Sequence, residues 1–122
     1  NQVVVVSLKG SQVRQFLEGN LETPGGFFYP SGLKVVYDLS AVEGAKVASI
    51  VVGDQPLEDQ KVYRTAVEDH IATPEGAGRG LAEFLETEDL AETGVLIRNL
   101  IVRHIQTLSQ IQGSVDDRVQ ER

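Results

Sequence analysis

The chain contains no cysteine, no methionine and no tryptophan, and only two histidines. Without cysteine there are no disulfides, no thiolate zinc sites and no cysteine nucleophile, and the redox compartment stays open. Positive charge is also scarce. Eleven Lys and Arg face 18 Asp and Glu for a net charge of −7, so the long-range field that gathers phosphate backbones is missing and a nucleic-acid polymer is excluded as a partner. One small anion held by local donors is still compatible with that balance. No apolar run approaches the ~20 residues of a membrane span, and the start lacks the basic region and apolar stretch of a signal peptide. A chain that begins at Asn1 and has no methionine is expected to be a mature protein or a piece of a longer one.

What is present fits one domain. The 122 residues are 41% hydrophobic, enough for one core, with residues 1–115 as the domain and 116–122 as a polar tail expected to fray. Gln2 to Leu8 (QVVVVSL) is a β-branched run apolar on both faces, the pattern of an interior strand. Ser11 caps a short helix with Val13, Phe16 and Leu17 on one stripe and Gly19 as its stop. Leu33 to Leu39, Lys46 to Val52 and Val62 to Val67 read as strands of an antiparallel meander. A short helix from Leu81 to Glu86 and a solvated acidic linker at Glu86, Glu88, Asp89 and Glu92 follow. A longer helix is predicted from Thr93 to Gln110, with Ile97, Leu100, Ile101, Ile105 and Leu108 on one face. Strands followed by helices, without strict alternation, make the fold class α+β, with a mixed or antiparallel sheet and flanking helices.

Two loops stand out. Thr23 to Gly32 holds two prolines, three glycines and the consecutive aromatics Phe27, Phe28 and Tyr29, which either pack inward to shield the loop or form a stacking platform for a planar ligand. Gly76 to Gly80 reads GAGRG ahead of a helix. Its backbone N–H groups and Arg79 suit an anion, and a plain strand-to-helix connection has the same composition. His70 precedes that loop and is the one histidine with a candidate role; His104, seven residues after Ile97, is expected at the core boundary. Neither has the spacing of a metal pair or a nucleophile motif.

Taken together, Val3-Val4-Val5-Val6-Ser7-Leu8-Lys9-Gly10-Ser11-Gln12, Gly32-Leu33-Lys34-Val35-Val36-Tyr37-Asp38-Leu39-Ser40, Gly53-Asp54-Gln55-Pro56-Leu57 with Val62-Tyr63, and Thr93-Gly94-Val95-Leu96-Ile97-Arg98 closely resemble, in order and spacing, the C-terminal domain of the 5′-nucleotidase and UDP-sugar hydrolase family. The resemblance covers nearly the whole chain. It implies a layered α/β/β/α domain that supplies the nucleotide pocket of an extracytoplasmic (periplasmic, secreted or cell-surface) hydrolase. It also implies that an N-terminal domain outside this chain holds two divalent metal ions and performs the hydrolysis, so that no cofactor and no catalytic residue lies here.

In the family the base stacks between two aromatics. By this resemblance the first falls on Phe27, with Phe28 as the alternative. The family's lead-in to the second appears as Glu68-Asp69-His70-Ile71-Ala72, and its GGDG motif as Glu75-Gly76-Ala77-Gly78 after one inserted residue, with Arg79 in the aromatic slot. The implied substrate-binding set is therefore Phe27, Phe28, Asp69, His70, Gly76, Gly78 and Arg79, with half of the sandwich lost and weak binding of a nucleotide or nucleoside expected. The family's NGGGIR motif lies upstream of the first strand and is not in this sequence, so a truncated sheet becomes a route to homo-oligomers through strand pairing. The competing reading is a structural or protein-interaction module that no longer binds nucleotide.

Overall fold

The structure, a computed structural model, describes residues 1–23, 29–73 and 81–122, and two units emerge, Asn1–Leu8 with Arg64–Val115 and Lys9–Tyr63 with Asp116–Arg122. The fold is α+β, with two sheets and two α-helices among the described residues. Consecutive β-branched residues favour extended backbone, and Gln2–Lys9 forms strand β1. Val4, Val6 and Leu8 are buried on one face, while Val3, Val5 and Ser7 are half-buried on the other.

In the first unit β1 is the middle of a three-stranded sheet ordered β5-β1-β6, where β5 is Val62–Glu68 and β6 is Leu90–Leu96. The expected interior strand is therefore found, with β5 and β6 paired on its two edges. β1 and β6 run antiparallel, Val3 opposite Val95 and Val4 opposite Glu92. Thr93 and Gly94 are the extra residues of this bulge. Gly94 takes φ +68°, a region open to glycine at no steric cost, while the Thr93 hydroxyl donates to the Val3 carbonyl and Gln2 Oε1 accepts from the Gly94 N–H.

That bulge corrects the predicted Thr93 to Gln110 helix. The helix, α2, begins at Ile97, where the N–H donates to the Asn1 carbonyl at 3.1 Å, and ends at Thr107. None of its residues is buried, and Leu100, Ile101 and Ile105 are 39%, 53% and 43% exposed. His104 is exposed as well, not at a core boundary. The helix expected from Leu81 to Glu86 is a single 3₁₀ turn, Ala82–Phe84, and the acidic linker folds into another at Thr87–Asp89, where Asp89 Oδ2 accepts from the Glu86 N–H.

In the second unit, helix α1 spans Gly10–Glu22 and buries Gly10, Val13, Leu17 and Asn20 at spacings of three and four. Its cap is Lys9, not Ser11; Gln12 Oε1 reaches back to the Lys9 N–H, half of a capping box. Gly19 does not stop it, because it lies exposed in mid-helix, and the helix instead ends at Thr23, the residue before a proline, where helical backbone is disfavoured. Strands β2 (Leu33–Tyr37) and β3 (Val47–Val52) pair antiparallel, and β4 (Gln55–Pro56) returns on β3 through Gly53-Asp54, with Gly53 at φ +61°.

β5 does not continue this meander. After Leu57 the backbone turns to meet the start of α1: the Gly10 and Ser11 N–H groups donate to the Lys61 and Asp59 carbonyls, both at 3.0 Å. These bonds satisfy donors a helix N-terminus leaves orphaned, and β5 then enters the other sheet. The polar tail does not fray either. Val119–Glu121 is strand β7, parallel to β2 with Val35 opposite Val119, and the sheet order is β4-β3-β2-β7.

Candidate functional site

The two loops singled out by the sequence are described through their stems. Phe27 and Phe28 lie outside the described residues, as do Gly76, Gly78 and Arg79. On the first loop's entry side, the Thr23 hydroxyl donates to the Gly19 carbonyl at 2.8 Å, closing the last turn of α1. On its exit side, Tyr29 is 83% exposed, Pro30 accepts a hydrogen bond at its carbonyl from Arg118 Nη1 at 3.4 Å, and Gly32 turns the chain into β2 with φ +84°. Tyr29 is thus an exposed aromatic beside Phe28 in sequence, and the aromatic run was its only sequence signal.

The second loop leaves from the turn that ends β5. Asp69–Ala72 is one 3₁₀ turn carrying both Asp69 and His70. Half-buried Asp69 accepts the His70 N–H on Oδ1 at 2.8 Å, and the Thr73 hydroxyl donates to the His70 carbonyl at 3.2 Å. The chain returns at Leu81, wholly buried, whose N–H donates to the Ile71 carbonyl at 2.9 Å. The described residues flanking 74–80 form a neck pinned by that backbone bond and by the burial of Ala72 and Leu81. The structure brings Asp69 and His70 together at that neck, with the histidine side exposed to solvent.

Several carboxylates elsewhere hold backbone. Along α1 an open groove of about 740 Å³ is lined by Arg14, Glu18, Glu22 and Glu43 among others. Glu18 accepts the Lys46 and Val47 N–H groups and Glu22 accepts that of Gly44 at 2.7 Å, so these acids fasten the β2–β3 connection to α1. Asp38 serves its own turn, and the Ser40 hydroxyl and N–H bonds hold its carboxyl below the usual carboxylate range. Asn20, 3% exposed, donates to the Phe16 carbonyl, and no described residue donates to its Oδ1.

Among the described residues no three His, Cys, Asp or Glu side chains gather to hold a metal ion. Among the described residues, no helix is long and apolar enough to cross a membrane.

Comparison with known proteins agrees with this architecture. The snake venom 5′-nucleotidase of Macrovipera lebetinus is 27% identical over 127 residues, covering 94% of this chain and 30% of that protein. Among solved structures, the 5′-nucleotidase precursor of Thermus thermophilus matches with a TM-score of 0.87 at 24% identity, and the NAD nucleotidase of Haemophilus influenzae with 0.85 at 16%. Each match covers 99% of this chain but only 25% and 24% of the other. This chain spans between about a quarter and a third of the length of these relatives. The family model described as "5'-nucleotidase, C-terminal domain" matches residues 1–83, a span that includes both loops, and the chain belongs to that family.

Proposed function

We propose that this chain is the nucleotide- or nucleoside-recognition part of a 5′-nucleotidase-like hydrolase, and that hydrolysis occurs in another part of the same polypeptide. The observation that carries this reading is the family match over residues 1–83, which contains the Phe27-Phe28 loop and the Gly76–Arg79 loop. An aromatic loop and a glycine loop grip a planar base and its sugar without a basic surface, consistent with a net charge of −7. Phe27 stacks on the base, Phe28 being the alternative. Asp69, His70, Gly76, Gly78 and Arg79 complete the candidate binding set. Two divalent metal ions held by the remaining polypeptide would supply Lewis-acid activation of water and of the phosphoryl oxygen. The parent acts outside the cytoplasm, as a venom enzyme among its relatives does.

A second reading, an interaction module without nucleotide binding, is favoured by the exposed apolar residues of α2. Titration of the ¹⁵N-labelled chain with adenosine separates the two. Recognition predicts shifts at the amides of residues 29–33 and 69–73, the two loop stems; a spectrum unchanged at millimolar adenosine would leave the interaction module.

A further inference from the structure

We propose that the C-terminal segment Asp116–Arg122 is a clamp on the exit of the aromatic loop, with Arg118 as its positioning residue. The inference rests on the recognition reading for its purpose, and on geometry for its existence. β7 lies parallel to β2, and β2 is the strand into which the loop discharges. Two successive residues of the segment reach three positions at that end. Asp117 Oδ2 meets Lys34 Nζ at 2.7 Å, the Arg118 carbonyl accepts the Val35 N–H at 2.7 Å, and Arg118 Nη1 donates to the Pro30 carbonyl at 3.4 Å.

The guanidinium is itself held. Asp116 accepts Arg118 Nε at 2.8–2.9 Å and the Arg118 N–H at 3.2 Å, which orients the planar fork and leaves Nη1 for Pro30. Those bonds also hold the Asp116 carboxyl below the usual carboxylate range. Pro30 stands two residues after Phe28 and has no N–H of its own to anchor it. A bond to its carbonyl therefore fixes the point where the aromatic run ends. Arg118 and its acid are about half exposed, and surface pairs of this kind add little to global stability. Their effect is local, at Pro30, where the chain enters the turn into β2. The far end of β7 supplies an internal control: the Arg122 N–H donates to the Tyr37 carbonyl, and its side chain lies 3.9 Å from Asp38, at the other end of β2.

Limited chymotrypsin digestion tests the clamp, since the Phe27–Phe28 and Phe28–Tyr29 bonds are cleavable while Tyr29–Pro30 is not. Cleavage of a native chain reports local opening. Arg118→Ala and Arg118→Lys are each expected to raise the initial cleavage rate there by about fivefold or more. The lysine keeps the charge beside Asp116 but loses the fork, so it separates positioning from ion pairing. Arg122→Ala is expected to stay within about twofold of the original chain. An unchanged rate in Arg118→Lys, or an equal rise in Arg122→Ala, would overturn the clamp. Adenosine added to the unsubstituted chain addresses the other reading separately: slower cleavage supports base recognition, and no slowing, with Arg118→Lys still faster, keeps the clamp and removes the nucleoside.

Discussion

A Cβ placed on Gly10 would lie 2.2 Å from the Glu58 carbonyl oxygen and 2.8 Å from its carbon. Both are backbone atoms, and Gly10 also donates to Lys61, so neither side can move without opening the cap of α1. Alanine is better than glycine in a helix by about 1 kcal/mol, but overpacking costs about 1–3 kcal/mol and the lost cap adds to it. Gly10→Ala is therefore expected to lower stability by about 1–2 kcal/mol in urea melts, and a stabilised variant would refute the close approach. Arg79 makes a second prediction at this scale. Under the proposed reading Arg79 takes the place of an aromatic and gives up its apolar contact, and an aromatic pair adds about 0.5–1.5 kcal/mol beyond burial. Arg79→Phe in the full-length protein is expected to tighten adenosine binding from a few-fold to about tenfold, with no gain for ribose 5-phosphate. No change for either ligand would move Arg79 away from the base.

Elements differ in how plainly their residues announce them. β1, β2, β3 and β5 are legible because β-branched residues recur in short runs. β6 is not, because six of its seven side chains are exposed; with no buried face there is no alternation to read, and Thr93-Gly94 reads as a helix start when it is a bulge. β7 has three residues, held by the backbone of β2 and by charge. Its attachment should depend on pH. Hydrogen bonds from Arg118 and Lys34 depress the Asp116 and Asp117 carboxyls, and Asp117 raises Lys34. Depressed carboxyls contribute stability that is present above their unfolded pKa and lost as pH falls through the folded values, while the Lys34 share is lost as pH rises through its raised value. On acidification, amide exchange at Val35 is expected to lose protection before the amides of β1 do; simultaneous loss would mean that the pairs do not hold β7. α2 carries its own expectation. Exposed Leu100, Ile101 and Ile105 form an apolar surface of the kind that drives association. Sedimentation of the isolated chain should show concentration-dependent self-association that Ile101→Lys with Ile105→Lys removes, and a monomer at every concentration would contradict it.

For the whole molecule, the α+β class was legible from the order of strand-like and helix-like segments, whereas the division of strands between two sheets was not. That division depends on the Gly10 and Ser11 N–H groups meeting carbonyls some 50 residues away, a long-range match without a periodic signature. The proposed site lies on two loops that the sequence marks by their turn residues, and the fold explains how their stems are held: Leu81 on Ile71 for one, Arg118 on Pro30 for the other. The proposed recognition of a base depends on Phe27, and one measurement addresses it directly. Titrations of the chain and of Phe27→Ala with adenosine and with ribose 5-phosphate, followed by NMR, are read beside a denaturant melt of each. Recognition of the base predicts saturable adenosine shifts in the unsubstituted chain, smaller or no shifts with the sugar phosphate, and loss of the adenosine shifts in Phe27→Ala at nearly unchanged stability. A fall in stability of about 3–5 kcal/mol, the cost of truncating a core phenylalanine, or adenosine shifts that survive the substitution, would contradict it.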